Sequence, residues 1–317
     1  MKKQTCTAVA PKVKKQGFSG NIKRYWMLYL MFLPVIVCLV LFSYLPMGGI
    51  YIAFTKYQPW IPILESPFVG LQNFKLMFSA PNFDQLIFNT VWINILKLLF
   101  GFPAPIILAL LLNEVRRTKF KKTVQTMSYL PYFVSWIVVS GMMYSLLNYN
   151  SGIVNKILKS LGNDPVKWYT HGEYWRSILV ASSVWKTIGY NSILYLAAIA
   201  GIDQSLYEAA VVDGATRWQR MRYITLPSIM PTASILLILS LGGLMNGDFG
   251  QIFALIGQNA PLHEYTDVLD FYIYRKGLQA GQFSIGTAMG LFQSTIGFAL
   301  ICLSNNFSKK IGGEGIW

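Results

Sequence analysis

Between two apolar runs the chain reads Gly201-Ile202-Asp203-Gln204-Ser205-Leu206-Tyr207-Glu208-Ala209-Ala210-Val211-Val212-Asp213-Gly214-Ala215-Thr216-Arg217-Trp218-Gln219-Arg220-Met221-Arg222-Tyr223-Ile224-Thr225-Leu226-Pro227. The pattern predicts two short helices joined by a tight turn. Ser205 stands three residues before Glu208, which is capping-box spacing for the first helix. Ala209 and Ala210 give that helix a small-residue face that another protein can approach closely. Asp213-Gly214 stops it, because glycine is free to adopt the left-handed conformation. Thr216 caps the second helix, Ile224 and Leu226 turn toward an apolar bundle, and Pro227 suits the first turn of the next helix. By shape this is a docking element.

The surroundings are those of a membrane protein. Of 317 residues, 54% are hydrophobic and 13% charged, against about 25% charged in soluble domains. A spanning helix needs about 20 mostly apolar residues. Six stretches qualify: Trp26 to Phe54, Leu86 to Leu112, Val124 to Leu147, Ile178 to Ala200, Pro227 to Leu255, and Ile285 to Leu303. Pro34 and Pro46 predict kinks in the first, and Pro103 and Pro105 in the second. The expectation is therefore an all-α integral membrane protein with six transmembrane helices. The first stretch is too long for a cleaved signal peptide and lacks a small-residue cleavage site.

Basic residues orient the spans. Seventeen lie on one side, in the tail before the first span, around Arg116 to Lys122, around Arg217 to Arg222, and at Lys309-Lys310; eight lie on the other. The positive-inside rule then puts both termini in the cytoplasm. It also accounts for the net charge of +14 without nucleic acid. The expected organisation is a basic cytoplasmic tail over residues 1–24, a membrane domain over 25–308 with the cytoplasmic loop 201–226, and a C-terminal tail over 309–317. Outside, residues 56–85 read as an ordered loop with turns. The stretch Ile153 to Leu161, ended by Gly162, reads as a short interfacial helix. Cys6, Cys38 and Cys302 are not placed to form a disulfide. With His171 and His263 they fit no metal spacing, so no metal is expected.

The loop closely resembles the signature loop of ABC importer permeases: Glu-Ala-Ala, three residues, Gly, nine residues, Ile-x-Leu-Pro. Glu208, Ala209, Ala210, Gly214, Ile224, Leu226 and Pro227 meet every position, with Asp213 in the turn. Tyr44 to Tyr57, Val69 to Phe74, Ala109 to Glu114 and Asp267 to Tyr274 resemble the carbohydrate (maltose-type) branch. Tyr129 to Trp136 and Glu314 to Trp317 are similar to the polysaccharide and complex-oligosaccharide permeases of Gram-positive bacteria. Gln258-Asn259-Ala260-Pro261 departs from the Gly-Gly-Pro of many sugar permeases. The resemblance implies a type I ABC importer permease in the bacterial cell membrane, with the loop seated on a partner ATPase. It further implies an ATPase dimer carrying ATP and Mg, a second homologous permease, an extracellular solute-binding lipoprotein, and an oligosaccharide or polysaccharide moved by alternating access. A homodimer stays open from one sequence.

The residues agree with that division of labour. No Gly-x4-Gly-Lys-Ser/Thr loop occurs, and no carboxylate set suits an enzyme, so no catalytic residue is assigned. A secondary transporter driven by an ion gradient would need a carboxylate at the middle of a span, and none lies there. Polar groups inside spans are candidates for the solute path: Trp185, Lys186, Tyr190 and Asn191, then Asn246, Asp248, Gln251 and Gln293. For Lys97 and Lys186 the alternative is snorkelling or pairing with a carbonyl. Small-residue spacing at Gly243/Gly247 and Gly286/Gly290 also fits close helix packing.

Overall fold

The structure, a computed structural model, describes residues 18–310. Cys6, most of the basic tail and the stretch from Glu314 to Trp317 lie outside the described residues. Residues up to Tyr51 and from Ile52 onward form two units. The first carries helix α1, Phe18–Leu39, followed by a π turn at Val40–Tyr44 and a 3-10 segment, Leu45–Phe54. Pro34 stays within α1, whose one non-helical residue is Tyr25. The π turn just ahead of Pro46 widens the backbone where the ring would strike the carbonyl four residues earlier.

The second unit is also helical, with α2 (Gln72–Phe78), α3 (Phe83–Gly101), α4 (Pro103–Glu114), α5 (Thr118–Tyr129), α6 (Trp136–Leu147) and α7 (Ile153–Ser160). It continues with α8 (Trp175–Ala200), α9 (Gln204–Val212), α10 (Arg217–Arg220), α11 (Leu226–Gly242), α12 (Phe249–Leu255), α13 (Ala260–Thr266), α14 (Leu269–Ile273) and α15 (Phe283–Lys310). The 56–85 segment is ordered as expected, with α2 inside it. An antiparallel bridge joins Thr55 to Phe68, and buried Asn73 donates to the carbonyls of Ala53 and Thr55 at 2.8 and 2.9 Å. Helix α7 ends where predicted, with Gly162 at φ +80°.

Four helical stretches are long and apolar enough to cross a membrane: Tyr25–Phe54, Phe83–Glu114, Arg217–Met245 and Phe283–Lys310; a bent pair makes a fifth if it is one span. The proline break falls between α3 and α4, at Pro103. Three expected spans differ from the structure. Val124 to Leu147 is not one rod: Thr118–Phe133 and Trp136–Leu147 meet at 101°. Pro131 removes a donor there, and Ser135 accepts from the Val138 N–H to start α6 afresh. Pro227 to Leu255 is also divided. Helix α11 stops at Gly242-Gly243, and α12 begins only after extended backbone at Asn246. Its apolar stretch instead reaches back to Arg217. Helix α8 has 26 residues, but Arg176, Lys186 and Asn191 dilute its apolar character and keep it out of the apolar set.

Among the described residues, three buried clusters hold these helices together; one, with Met77, Phe83, Leu86, Leu269 and Met289, joins α2, α3, α14 and α15, and the other two run through α8. Ile93, Trp175, Leu179, Ile252 and Phe271 join α3, α8, α12 and α14. Ala109, Tyr195, Ile199, Ile229 and Ala233 join α4, α8 and α11. Helix α8 is common to both, and Arg176 near its start donates to Asn89 Oδ1 at 2.7 Å and to the Tyr265 carbonyl at 3.1 Å.

Candidate functional site

The loop after α8 is built from local interactions. Helix α9 starts two residues earlier than expected, and its cap is Asp203 rather than Ser205: the carboxylate accepts from the Ser205 N–H at 2.9 Å. Those hydrogen bonds from Ser205 hold the Asp203 carboxyl below the usual carboxylate range. At the other end, the Ala215 N–H reaches the Ala210 carbonyl at 2.8 Å and the Gly214 N–H reaches Val211 at 3.1 Å. This is a Schellman closure, which requires a left-handed residue between helix and exit. Gly214 supplies it at φ +76°. Thr216 then caps α10 in a full capping box with Gln219. A π turn, Met221–Thr225, carries α10 into α11, whose first turn holds Pro227. Tyr207 on α9 and Thr225 in the π turn share a 2.8 Å hydroxyl hydrogen bond. Helix α9 is thereby tied to the turn that leads into α11.

The loop's surface is apolar for a segment that leaves the bundle. Glu208 and Ala209 are exposed, with Val212 87%, Trp218 63% and Tyr223 70% exposed nearby. Ala210, Asp213, Gly214 and Ile224 line a groove of about 310 Å³. Leu226 turns inward against the α4–α8–α11 cluster. An exposed apolar patch rimmed by polar groups marks an interaction surface.

The second site lies where α11 breaks. Backbone that leaves helical form inside a bundle needs side-chain partners. Asn94 on α3 supplies them, donating to the carbonyls of Leu244 and Asn246 at 2.9 and 3.1 Å. Gln293 on α15 donates to Asn246 Oδ1 at 2.9 Å and to Asp270 Oδ1 at 2.6 Å. Asp248 caps α12 by accepting from the Gln251 N–H. Gln251 is fully buried, and its amide nitrogen donates to the Leu179 carbonyl at 2.7 Å and to Ser182 Oγ at 2.9 Å. The amide oxygen is thus turned toward Lys97, whose Nζ lies 2.6 Å away. Lys97 also lines a cavity of about 290 Å³ with Asn94, Ser183, Thr187, Asn191 and Ser240, and is the one ionisable cation or carboxylate in that lining.

Of the expected path residues, Asn191 lines this cavity, while Gln251 and Asn246 form its supporting shell. Asp248 and Gln293 belong to the same break. Trp185, Lys186 and Tyr190 are not brought to it. Lys186 Nζ donates to the carbonyls of Tyr132 at 2.8 Å, Pro131 at 3.3 Å, and Val134. It holds the bend between α5 and α6, and Tyr190 stacks on Tyr132 with ring centroids 3.8 Å apart. For Lys186 the carbonyl-pairing alternative describes the geometry. Ser183, Thr187 and Ser240 were not singled out from sequence. The signal was present on α8: Ser183, Thr187 and Asn191 recur every fourth residue and form one polar stripe.

A family model, "Binding-protein-dependent transport system inner membrane component", matches residues 101–312, a stretch that takes in the whole 201–226 loop and the second site apart from its α3 residues Asn94 and Lys97. The chain belongs to this family. It is similar to the polygalacturonan/rhamnogalacturonan transport system permease protein YteP of Bacillus subtilis, with 42% identity over 92% of this chain and 90% of the relative. It is also similar to two solved structures. One is a chain of a bacterial ABC transporter involved in the import of the acidic polysaccharide alginate, with 42% identity, TM-score 0.83, and 92% of this chain and 98% of that chain covered. The other is a chain of a bacterial alginate ABC transporter in complex with an alginate pentasaccharide-bound periplasmic protein, with 40% identity, TM-score 0.85, and 95% and 100% covered. This chain is accordingly a membrane-embedded permease of the ABC importer class.

Proposed function

We propose that this permease imports oligosaccharides that carry carboxylates, delivered by an extracellular binding protein and driven by a separate ATPase that grips the 201–226 loop. The observation that carries the substrate class is Lys97. Its ammonium faces a cavity lined otherwise by neutral hydrogen-bonding and apolar groups, and its one hydrogen-bond partner is an amide oxygen. The ion pairs of the described residues, His171–Glu173 and Arg275–Asp267, lie elsewhere. The Asp248 carboxylate accepts from the Gln251 N–H. A cation kept within a bundle without a salt bridge is costly unless it serves a solute or ion path, and a sugar carboxylate satisfies it by a charge-assisted hydrogen bond. The names of the relatives, polygalacturonan and alginate, point to the same chemistry.

The reading includes six crossings with both termini cytoplasmic. The bent α5–α6 pair supplies the third and α8 the fourth; 26 residues of helix span about 39 Å, enough for a hydrocarbon core of about 30 Å. A second homologous permease closes the open side of the path. ATP and Mg belong to the ATPase dimer, and this chain performs no catalysis. Movement of α9 on ATP binding passes through Tyr207–Thr225 into α11, whose far end carries the break beside Lys97.

The test is uptake by the complete transporter in vesicles, comparing a uronate oligosaccharide with a neutral one of equal length. Wild type should import the uronate. Lys97→Met should lower that uptake on the order of tenfold or more, the loss of one charge-assisted hydrogen bond. Import of the neutral sugar alone by wild type would refute the substrate class.

A further inference from the structure

Behind the docking loop lies a second polar cleft, of about 470 Å³, which the transport cycle described above does not use. It opens where the span Phe83–Glu114 ends, where α5 begins and where α8 gives way to α9. Four cations line it: Arg116 and Lys121 from the α4–α5 corner, and Arg217 and Arg220 from α10. One carboxylate, Glu114, accompanies them. None of the five belongs to an ion pair among the described residues, where the pairs are His171–Glu173 and Arg275–Asp267. The Nε of Arg220 is buried with no hydrogen-bond partner. The lining is not polar throughout: Leu196 and Ile199, from the last turns of α8, form part of it.

We propose that this cleft binds the headgroup phosphate of an acidic phospholipid. Three unneutralised positive charges call for an anion, and Arg recognises phosphate through paired donors. The position at the ends of spanning helices is where lipid headgroups are concentrated, and basic pockets between such helices on the cytoplasmic side suit acidic headgroups. The apolar end of α8 offers a surface for the start of an acyl chain, which a free phosphate would leave unused. Because the cations come from both α4–α5 and α10, and Tyr207 and Gln204 of α9 share the lining, an occupied cleft braces the docking loop against the bundle. Anionic lipid would then raise the fraction of loops set to receive the ATPase. The side of the membrane rests on the orientation proposed above.

The test uses the complete transporter in nanodiscs of phosphatidylcholine, alone or with phosphatidylglycerol. Two readouts are taken: lipid retained on the permease by native mass spectrometry, and ATPase activity as phosphatidylglycerol is titrated. Wild type should retain phosphatidylglycerol and be activated by it. The double variant Arg116→Gln, Lys121→Gln should need on the order of tenfold more phosphatidylglycerol, following the removal of two surface cations. Glu114→Gln should need less, a gain that no folding defect can mimic. Lys156→Ala, Lys159→Ala removes two charges from α7 and should behave as wild type. Lipid retention does not depend on which sugar is carried, so a failed uronate assay leaves this test intact. Unchanged lipid dependence in both the double variant and Glu114→Gln would overturn the proposal. So would full activation of phosphatidylcholine nanodiscs by inorganic phosphate, which would make the cleft a site for a free anion.

Discussion

Replacing Gly214 tests the docking loop at one backbone angle. The residue sits at φ +76°, and a Cβ built there meets nothing within 4 Å in this chain. The cost of a side chain is therefore conformational. A β-branched residue held in the left-handed region loses on the order of 1–3 kcal/mol. The Schellman closure, with its bonds from Ala215 to Ala210 and from Gly214 to Val211, must then open or bear that strain. If the loop docks only in its closed form, Gly214→Val should weaken ATPase association by roughly 5- to 150-fold, since 1.4 kcal/mol is tenfold. Gly214→Asn should recover most of the loss, because asparagine tolerates the left-handed region. The assay is co-purification and surface-based binding of the ATPase to permease in nanodiscs, with membrane insertion checked in parallel. Wild-type affinity in Gly214→Val would refute the loop's role. An equal defect in Gly214→Asn would refute the conformational cause and point to close approach of the partner.

Lys186→Met removes the donor to the Tyr132 and Val134 carbonyls at the α5–α6 bend, while the Pro131 carbonyl keeps the Val134 N–H at 3.2 Å. At about 1–3 kcal/mol for each carbonyl left buried and unpaired, it should lower thermal stability far more than Lys97→Met does; equal thermal midpoints for the two would end the assignment of Lys186 to the bend. Tyr207→Phe removes the hydroxyl bridge to Thr225, worth about 1 kcal/mol. It should leave ATPase binding intact and lower sugar moved per ATP hydrolysed; unchanged coupling in reconstituted vesicles would exclude that bridge from transmission.

What could be read from the sequence alone depended on range. The docking loop was legible almost residue by residue, because its caps, its turn and its glycine act within 27 consecutive positions. One detail went astray there: Asp203, not Ser205, caps α9, since a carboxylate just before the helix accepts from its first N–H groups as readily as a serine. The long apolar runs were legible as membrane segments, because length and hydropathy are properties of a stretch. The breaks within them were not. The 101° bend at Val134-Ser135 is held by Lys186 from more than 50 residues away, and the interruption of α11 by Asn94 from 150 residues away. Proline and glycine mark where a helix can break. Whether it does depends on a distant side chain to satisfy the freed carbonyls, and that is decided only by the packing. The same holds for the polar residues inside the spans. From sequence, Lys97 was evenly balanced between the path and carbonyl pairing, and Lys186 was the better path candidate, because Trp185, Tyr190 and Asn191 stand beside it. The tertiary structure separated them, giving one an amide and a cavity and the other a cluster of backbone carbonyls, because a buried ammonium takes its role from the acceptors that surround it.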